Sequence, residues 1–247
     1  MGRRIWLLLI AFLLLAPAGM AQERAVTIRN YGHAFFVITA GDGVRIAIDP
    51  YGQIGYPMPE VEADVVLVTH EHRDHNNVGL IKGNPRVLRG LAAGATGWNR
   101  IYERLGGTLI YGVPSFHDEE QGAKRGLNAI FVIQTTELRI AHLGDLGQPA
   151  LTEGQMRAMG AVDILLMPVG GFFTIGAPEA TRVAAQIRPK VILPMHYKTP
   201  PVAALPLADE QAFLVGKENV RRPGSHTLTI SKSRLPPAAQ IVVLEYR

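Results

Sequence analysis

The fold is decided by one stretch, Asp64-Val65-Val66-Leu67-Val68-Thr69-His70-Glu71-His72-Arg73-Asp74-His75-Asn76. Its apolar start is typical of a buried strand, and its polar end holds three imidazoles and a carboxylate. Because residues two apart on an extended chain face the same way, His70 and His72 are expected to bind one cation. The turn that follows directs Asp74 and His75 toward a second cation. A polar surface loop would explain a single His-x-His pair, but four potential ligands behind a buried strand favour a metal site.

The order His-x-His-x-Asp-His over residues 70–75 resembles the signature of the metallo-β-lactamase superfamily. The resemblance implies an α/β fold, the four-layer αββα sandwich, in a single hydrolase domain that covers residues 22–247. Two further sequence segments are similar to segments of the subgroup that contains L-ascorbate-6-phosphate lactonase. They are Gly-His-Ala-Phe-Phe at residues 32–36 and Pro-Met-His-Tyr at residues 194–197.

Three more residues complete the ligand set, and each follows a strand-like segment. The resemblance assigns His117 to the first metal and His196 to the second. Asp145 suits a bridging carboxylate, because its two oxygens can each face one metal. The first metal is thus expected to bind His70, His72 and His117, and the second Asp74, His75 and His196, with Asp145 shared.

These ligands predict a metal-dependent hydrolase with two divalent metal ions. Three imidazoles and a shared carboxylate leave an ion cationic enough to lower the pKa of bound water toward ~7. The expected nucleophile is a metal-bridging hydroxide, and Asp74 is the candidate catalytic residue that orients it or accepts its proton. Zinc suits His and Asp ligands, although iron or manganese could occupy the same set.

The predicted reaction is hydrolysis of an ester, lactone or phosphodiester bond in a small-molecule substrate. One alternative is a metal-binding protein without catalysis, which would have a closed site with no position for water. A second alternative is a true β-lactamase. The familiar class B enzymes place cysteine or another residue where this chain has Asp145, which argues against that activity.

Residues 1–21 are predicted to be a secretory signal peptide. Arg3-Arg4 precedes an apolar run over residues 5–16, and small residues follow at 17–21. The alternative, an uncleaved anchor, is disfavoured because about 12 apolar residues fall short of the roughly 20 that span a bilayer. We expect cleavage after Ala21, with Ala18 as the alternative, and a mature protein that is secreted or periplasmic without a stable membrane anchor.

Composition limits the remaining classes. The chain has 247 residues, 47% of them hydrophobic, which suits one sizeable core. It has no cysteine, so it has neither a disulfide framework nor a thiolate ligand. The formal net charge of +4 is too small to predict a nucleic-acid partner. Oligomeric state stays open.

Several residues near the motifs allow two interpretations. His33 either lines the pocket or forms a structural hydrogen bond. Asp49 either orients the histidine motif or only forms a turn. His142 is interpreted as structural or as a support for the ligands, while Tyr197 and Lys198 are weak candidates for contacting an anionic substrate.

The remaining pattern predicts local elements. Residues 52–62, with two prolines, are expected to form a loop at the pocket rim. Residues 95–105 have apolar positions at helical spacing, and residues 76–81 are expected to make one or two helical turns. Residues 170–174 either form a substrate platform or a packed turn. Residues 226–231 and 240–246 are expected to form a terminal strand pair.

Overall fold

The computed structural model describes residues 24–246, which form two large β-sheets, a small ribbon and three α-helices. In chain order the strands are β1 (Val26–Gly32), β2 (Phe35–Thr39), β3 (Arg45–Ile48), β4 (Val61–Glu62), β5 (Val65–Val68), β6 (Ile81–Lys82), β7 (Arg86–Arg89), β8 (Tyr102–Leu105), β9 (Thr108–Phe116), β10 (Leu127–Gln134), β11 (Arg139–His142), β12 (Ile164–Pro168), β13 (Val191–Met195), β14 (Val220–Arg221), β15 (Thr227–Ile230) and β16 (Gln240–Val242). The helices are α1 (Glu153–Met159), α2 (Ala177–Ile187) and α3 (Glu210–Leu214). The predicted signal peptide lies outside the described residues.

The first sheet has six strands in the order β15-β1-β2-β3-β5-β7. Strands β3, β5 and β7 run parallel, so their carboxyl ends meet at one edge. The register pairs Ile48 of β3 with Leu67 of β5, which places the following residues, Asp49 and Thr69, close together. The histidine motif therefore begins beside Asp49.

The second sheet has eight strands in the order β14-β16-β13-β12-β11-β10-β9-β8. Strands β11, β12 and β13 are parallel, and the chain leaves each of them on the same side of the sheet. Asp145 comes shortly after β11, and His196 comes directly after β13. Parallel strands thus deliver ligands from distant parts of the sequence to one edge.

The main core lies between the two sheets. Ile28, Phe36 and Leu67 of the first sheet belong to the same buried cluster as Phe131 and Leu166 of the second. Because the sheets share this core, the predicted single-domain α/β sandwich is confirmed. Alternation along each strand sends every second side chain outward, where a further layer must cover it.

The two outer layers differ. On the second sheet, Met159, Val183 and Phe213 bring the three helices into one apolar cluster with the outer strand residues. On the first sheet, the buried outer side chains pack with Tyr51, Tyr56 and other loop residues rather than with one of the described α-helices. The loops that carry the site therefore also complete the fold on this side.

The predicted helix at residues 95–105 is wrong. Residues Tyr102–Leu105 form β8, which pairs antiparallel with β9 through a turn at Gly106 and Gly107. Gly106 has a positive φ of 54°, which glycine adopts without strain and which suits a tight hairpin. The apolar residues have helical spacing, but backbone pairing with the neighbouring strand β9 stabilises an extended conformation instead.

The predicted terminal strand pair is also wrong, since β15 pairs with β1 in the first sheet and β16 pairs with β13 in the second. The predicted turns after the motif reduce to a short 3₁₀ segment, Val78–Leu80, followed by β6. Helix α1 begins with a capping box. The Thr152 hydroxyl accepts from the Gln155 amide, and the Gln155 side chain accepts from the Thr152 amide. No described helix has the length and apolar character needed to cross a bilayer.

Candidate metal centre

The strand ends bring all seven predicted ligands to one cluster. The ligand atoms of His70, His72 and His117 lie within 4.8 Å of one another, and so do those of a second group that includes Asp74, His75 and His196. Asp145 contacts members of both groups. The second group also contains His33, and a third such group joins Asp49 with His70 and His75.

Asp145 is the centre of the cluster. Its Oδ2 atom lies 3.2 Å from His75 Nε2, 3.3 Å from His117 Nε2, 3.2 Å from His196 Nε2 and 3.8 Å from His70 Nε2. Its backbone amide donates to the side chain of Asn128 at 3.0 Å. A single carboxylate thus faces imidazoles that come from both sheets.

Hydrogen bonds on the outer side of the cluster fix which ring nitrogens face inward. The Thr69 hydroxyl donates to Asp49 Oδ2 at 2.7 Å, so its oxygen accepts from His70 Nδ1 at 2.9 Å. The same carboxylate oxygen accepts from His75 Nδ1 at 3.0 Å. In both histidines Nε2 therefore faces the cluster, which is how an oriented imidazole binds a metal. Asp49 thus orients the motif, which was one of its two expected roles.

Buried polar atoms without partners test whether a cation fits here. His70 Nε2, His75 Nε2 and Asp145 Oδ1 are buried and make no hydrogen bond within the described residues. Leaving such atoms unpaired is costly, and protein structures rarely tolerate several together. A divalent cation with nitrogen and oxygen ligands would satisfy all three, so the donor set fits a metal.

His33 is the additional member of the second group. Its Nε2 lies 3.1 Å from Asp74 Oδ2, and its ring centroid lies 4.0 Å from that of His196. Its carbonyl also accepts from the His196 amide at 3.0 Å. The structure thus places His33 beside the site, where the sequence had left a structural role equally open. In the sequence, only the resemblance of residues 32–36 to the lactonase subgroup pointed to His33.

The electrostatics favour cations. Burial by itself would raise the pKa of Asp145, but the His196 and His75 imidazoles hold it well below its usual range. Burial would also raise the pKa of Asp74, but the hydrogen bond from His33 and the charge of His75 outweigh the effect of burial and lower this pKa. Both carboxylates are therefore ionised at neutral pH.

A cavity of about 640 Å³ opens onto the cluster. Asp74, His117 and Asp145 form part of its wall. Gln53 and Ile54 also line it, which confirms that the predicted loop at residues 52–62 contributes to the rim. The remaining lining side chains are His33, His72, Arg73, Lys124, Arg125, Phe173, His196 and Leu205.

The chain is similar to known proteins over the stretch that contains the site. A family profile described as the Beta-lactamase superfamily domain matches residues 27–196, a stretch that contains all seven predicted ligands. A UPF0173 metal-dependent hydrolase of Thermococcus onnurineus is 33% identical over 218 residues, which cover 77% of this chain and 92% of the relative. The chain belongs to the UPF0173 metal-dependent hydrolase family of the metallo-β-lactamase superfamily.

Other members of the family and solved structures agree. A UPF0173 metal-dependent hydrolase of Thermus thermophilus is 33% identical over 199 residues, which cover 72% of this chain and 86% of the relative. A crystal structure from Thermotoga maritima, described as a Zn-dependent hydrolase of the metallo-beta-lactamase superfamily, is 35% identical with a TM-score of 0.72. It covers 90% of this chain and 100% of that chain. This protein is accordingly a metal-dependent hydrolase with the metallo-β-lactamase fold.

Other polar residues that the sequence singled out lie outside the hydrolase site. His142 Nδ1 accepts from the Gly144 amide at 3.1 Å, so its Nε2 donates to the Ala34 carbonyl at 2.9 Å, which makes it structural. Tyr197 is buried and, with Lys198, lines a separate cavity. The basic side chains that line the metal cavity are Arg73, Lys124 and Arg125. Sequence reasoning assigned no role to Arg73, which lies at an unassigned position of the motif, and no motif marks Lys124 or Arg125.

Proposed function

We propose that this hydrolase binds two divalent cations and that zinc is the native metal. The first cation would be held by His70, His72 and His117, and the second by Asp74, His75 and His196, with Asp145 shared. The observation that supports this most is the position of Asp145, whose Oδ2 lies 3.2 to 3.3 Å from imidazole nitrogens of both groups. Its second oxygen, Oδ1, is buried and makes no hydrogen bond to any of residues 24–246, so it too is available to a cation.

We further propose that Asp74 is the catalytic carboxylate. When bound, divalent cations lower the pKa of water and stabilise negative charge that develops on the substrate. The Asp74 side chain is 28% exposed and lines the cavity, while its Oδ2 accepts a hydrogen bond from His33 Nε2. Asp74 can therefore reach both the site and an attacking water, and His33 fixes its orientation. It accepts the proton of that water and returns it to the leaving oxygen.

The proposed reaction is hydrolysis of an ester, lactone or phosphodiester bond. Water adds to the carbonyl carbon or the phosphorus, the bond to the leaving oxygen breaks, and that oxygen receives a proton. Similarity of the phrases at residues 32–36 and 194–197 to the lactonase subgroup supports a lactone among these bonds. The cavity of about 640 Å³ is large enough for a small molecule.

An assay with parallel metal analysis tests this function. Purified protein is loaded with zinc and presented with a carboxylic ester, a γ-lactone, a phosphodiester and a β-lactam. We expect about two zinc ions per chain and turnover of at least one of the first three substrates. D145A and H72A should lose turnover and part of the bound zinc. H226Q, a histidine change outside the cluster, should retain both. The proposal would be contradicted if D145A turned over a substrate without zinc, or if the β-lactam were the only substrate hydrolysed.

We also propose that the protein is exported. The basic, apolar and small-residue order of residues 1–21 supports a cleaved leader. Expression of the full chain in a bacterial host followed by mass measurement of the secreted or periplasmic protein tests it. The mature form should begin at Gln22, or at Gly19 if cleavage follows Ala18. Recovery of the whole chain with Met1 in the cytoplasm would contradict export.

A further inference from the structure

The cavity over the metal cluster carries positive charge at its mouth. Arg73, Lys124 and Arg125 all line it. Lys124 is already neutralised, because its Nζ lies 3.3 Å from a Glu119 oxygen and 2.8 Å from a Glu120 oxygen. Neither arginine has a carboxylate partner among residues 24–246. Two guanidinium groups therefore remain available beside the proposed reaction centre.

Arg125 is held in place by the loop that carries it. The buried Asp118 accepts backbone hydrogen bonds from Glu120 at 2.8 Å, Gly122 at 2.9 Å, Lys124 at 3.0 Å and Arg125 at 2.7 Å. A carboxylate with four amide donors closes the loop tightly. The carboxylate of Asp118, which directly follows the proposed ligand His117, thus fixes the backbone position of Arg125.

The Arg125 side chain is also oriented. Its Nη2 donates to the Phe172 carbonyl at 2.7 Å, and its guanidinium carbon lies 5.2 Å from the ring centroid of Phe173. A guanidinium group has five N–H donors, so most of them are still free for a ligand. Such a planar group, held against an aromatic ring, is suited to bidentate binding of a carboxylate or phosphate.

An apolar wall lies in the same cavity. Ile54, Phe173 and Leu205 contribute to it. We propose that the substrate is an organic anion whose carboxylate or phosphate group binds Arg125, assisted by Arg73, while its apolar body contacts this wall. The inference rests on the proposed function, because it names the class of substrate for the same site.

Binding of compounds without a hydrolysable bond tests the inference independently of turnover. Isothermal titration of the zinc-loaded full chain compares 4-phenylbutyrate, 4-phenylbutylphosphonate and neutral 4-phenylbutan-1-ol. We expect at least one anion to bind about tenfold or more tightly than the alcohol, since a hydrogen bond to a charged group exceeds the energy of a tenfold change. The tighter anion distinguishes carboxylate from phosphate chemistry.

Variants separate the arginines from the zinc, which itself attracts anions. R125Q should lower anion affinity about tenfold without affecting the alcohol, and R125K, which keeps the charge but not the planar group, should lose less. R104Q is the matched control, since Arg104 is an exposed residue of β8 that does not line the cavity. Thermal unfolding verifies that each variant is folded. Equal binding of alcohol and anions, or an unchanged anion preference in R125Q, would overturn the inference.

A hydrolysis arm distinguishes failure of this inference from failure of the proposed function. It compares 4-nitrophenyl hydrogen glutarate with 4-nitrophenyl butyrate, which share a leaving group and differ in the terminal carboxylate. A kcat/KM preference for the glutarate that R125Q removes supports the inference, and turnover without preference contradicts it. If neither ester reacts but anion binding still depends on Arg125, ester hydrolysis fails while the anion site stands.

Discussion

Asp49 shows how one residue determines the chemistry of its neighbours. It is fully buried, has a positive φ of 51° and accepts hydrogen bonds from the Thr69 amide, the Thr69 hydroxyl and His75 Nδ1. A non-glycine residue with positive φ at a functional site stores strain that the surrounding contacts must offset. The sequence placed an acid at the end of β3, but its contact with His75 depends on the parallel pairing of β3 with β5.

D49N is expected to weaken zinc binding about 10- to 100-fold. An amide has one acceptor oxygen where the carboxylate has two, so it cannot accept both from the Thr69 backbone amide, which donates to Oδ1, and from His75 Nδ1, which donates to Oδ2; with its NH2 group at the Oδ2 position, it would donate to His75 Nδ1. His75 would then carry its proton on Nε2, the nitrogen that faces the cluster. Competition with a chromogenic chelator measures the affinity. D209N, an exposed helix cap outside the site, is the control, and equal affinities for both variants would contradict the role of Asp49.

The raised pKa of His75 predicts that metal binding depends on pH. Burial by itself would lower its pKa, but the charge of Asp145, whose Oδ2 lies 3.2 Å from His75 Nε2, and the hydrogen bond from Nδ1 to Asp49 raise it well above the usual value. The metal-free protein therefore holds an imidazolium at neutral pH, whereas a ligand must be neutral, so zinc displaces a proton. Affinity should fall as the pH decreases. Titrations in two buffers of different ionisation enthalpy should show release of about one proton, and heats independent of the buffer would refute this.

At the scale of elements, local patterns predicted the strands and helices but not their partners. The apolar run before the motif forms β5 as expected. Where the sequence pattern failed, at residues 95–105 and in the terminal strand pair, the outcome depended on pairing with distant strands. Such pairing leaves little trace in local periodicity.

The loop after His117 depends on Asp118. Burial would raise the pKa of Asp118, but hydrogen bonds from the amides of Arg125, Gly122 and neighbouring residues lower it. Its stabilising contribution is therefore present above the pKa of an unfolded aspartate, ~3.9, and is lost as the pH falls through the lower folded value.

D118A should destabilise the protein by about 1–3 kcal/mol, because the amides of a closed loop lose a charged acceptor. Urea unfolding at neutral pH measures the free energy of unfolding, and the difference between variant and native protein should shrink near pH 3. The adjacent E119Q is the matched control, since Glu119 is exposed and forms an ion pair with Lys124. A change in E119Q as large as in D118A would contradict a specific role for the carboxylate of Asp118.

At the scale of the molecule, the site lies where the two sheets meet. His70, His72, Asp74 and His75 follow β5 in the first sheet, whereas His117, Asp145 and His196 follow strands of the second. The sequence motifs predicted this set, because each ligand follows a strand. They left the place of His33 open between the pocket and a structural role and could not predict Arg125 as a neighbour of the site, since both positions result from the way the β1–β2 turn and the loop after His117 pack in the folded protein.

Removing the metal should lower the stability of the whole domain. A ligand that binds only the folded state stabilises it by about 4 kcal/mol at a thousandfold excess over its dissociation constant. Thermal unfolding of the zinc-loaded protein should therefore shift to lower temperature after chelation. D145A should respond less, because it has lost the shared ligand. Identical shifts in the native protein and D145A would contradict a central position of Asp145.

The order of the ligands along the polypeptide has a consequence for biosynthesis. A nascent chain that has reached residue 145 can supply only part of the second set, and that set is completed by His196, near the end of β13. No truncated translation product that stops before this histidine can assemble both halves of the centre. On the proposed ligand assignment, loading of the second cation must therefore follow synthesis of His196, whereas the ligands of the first cation are all present once residue 145 has been made.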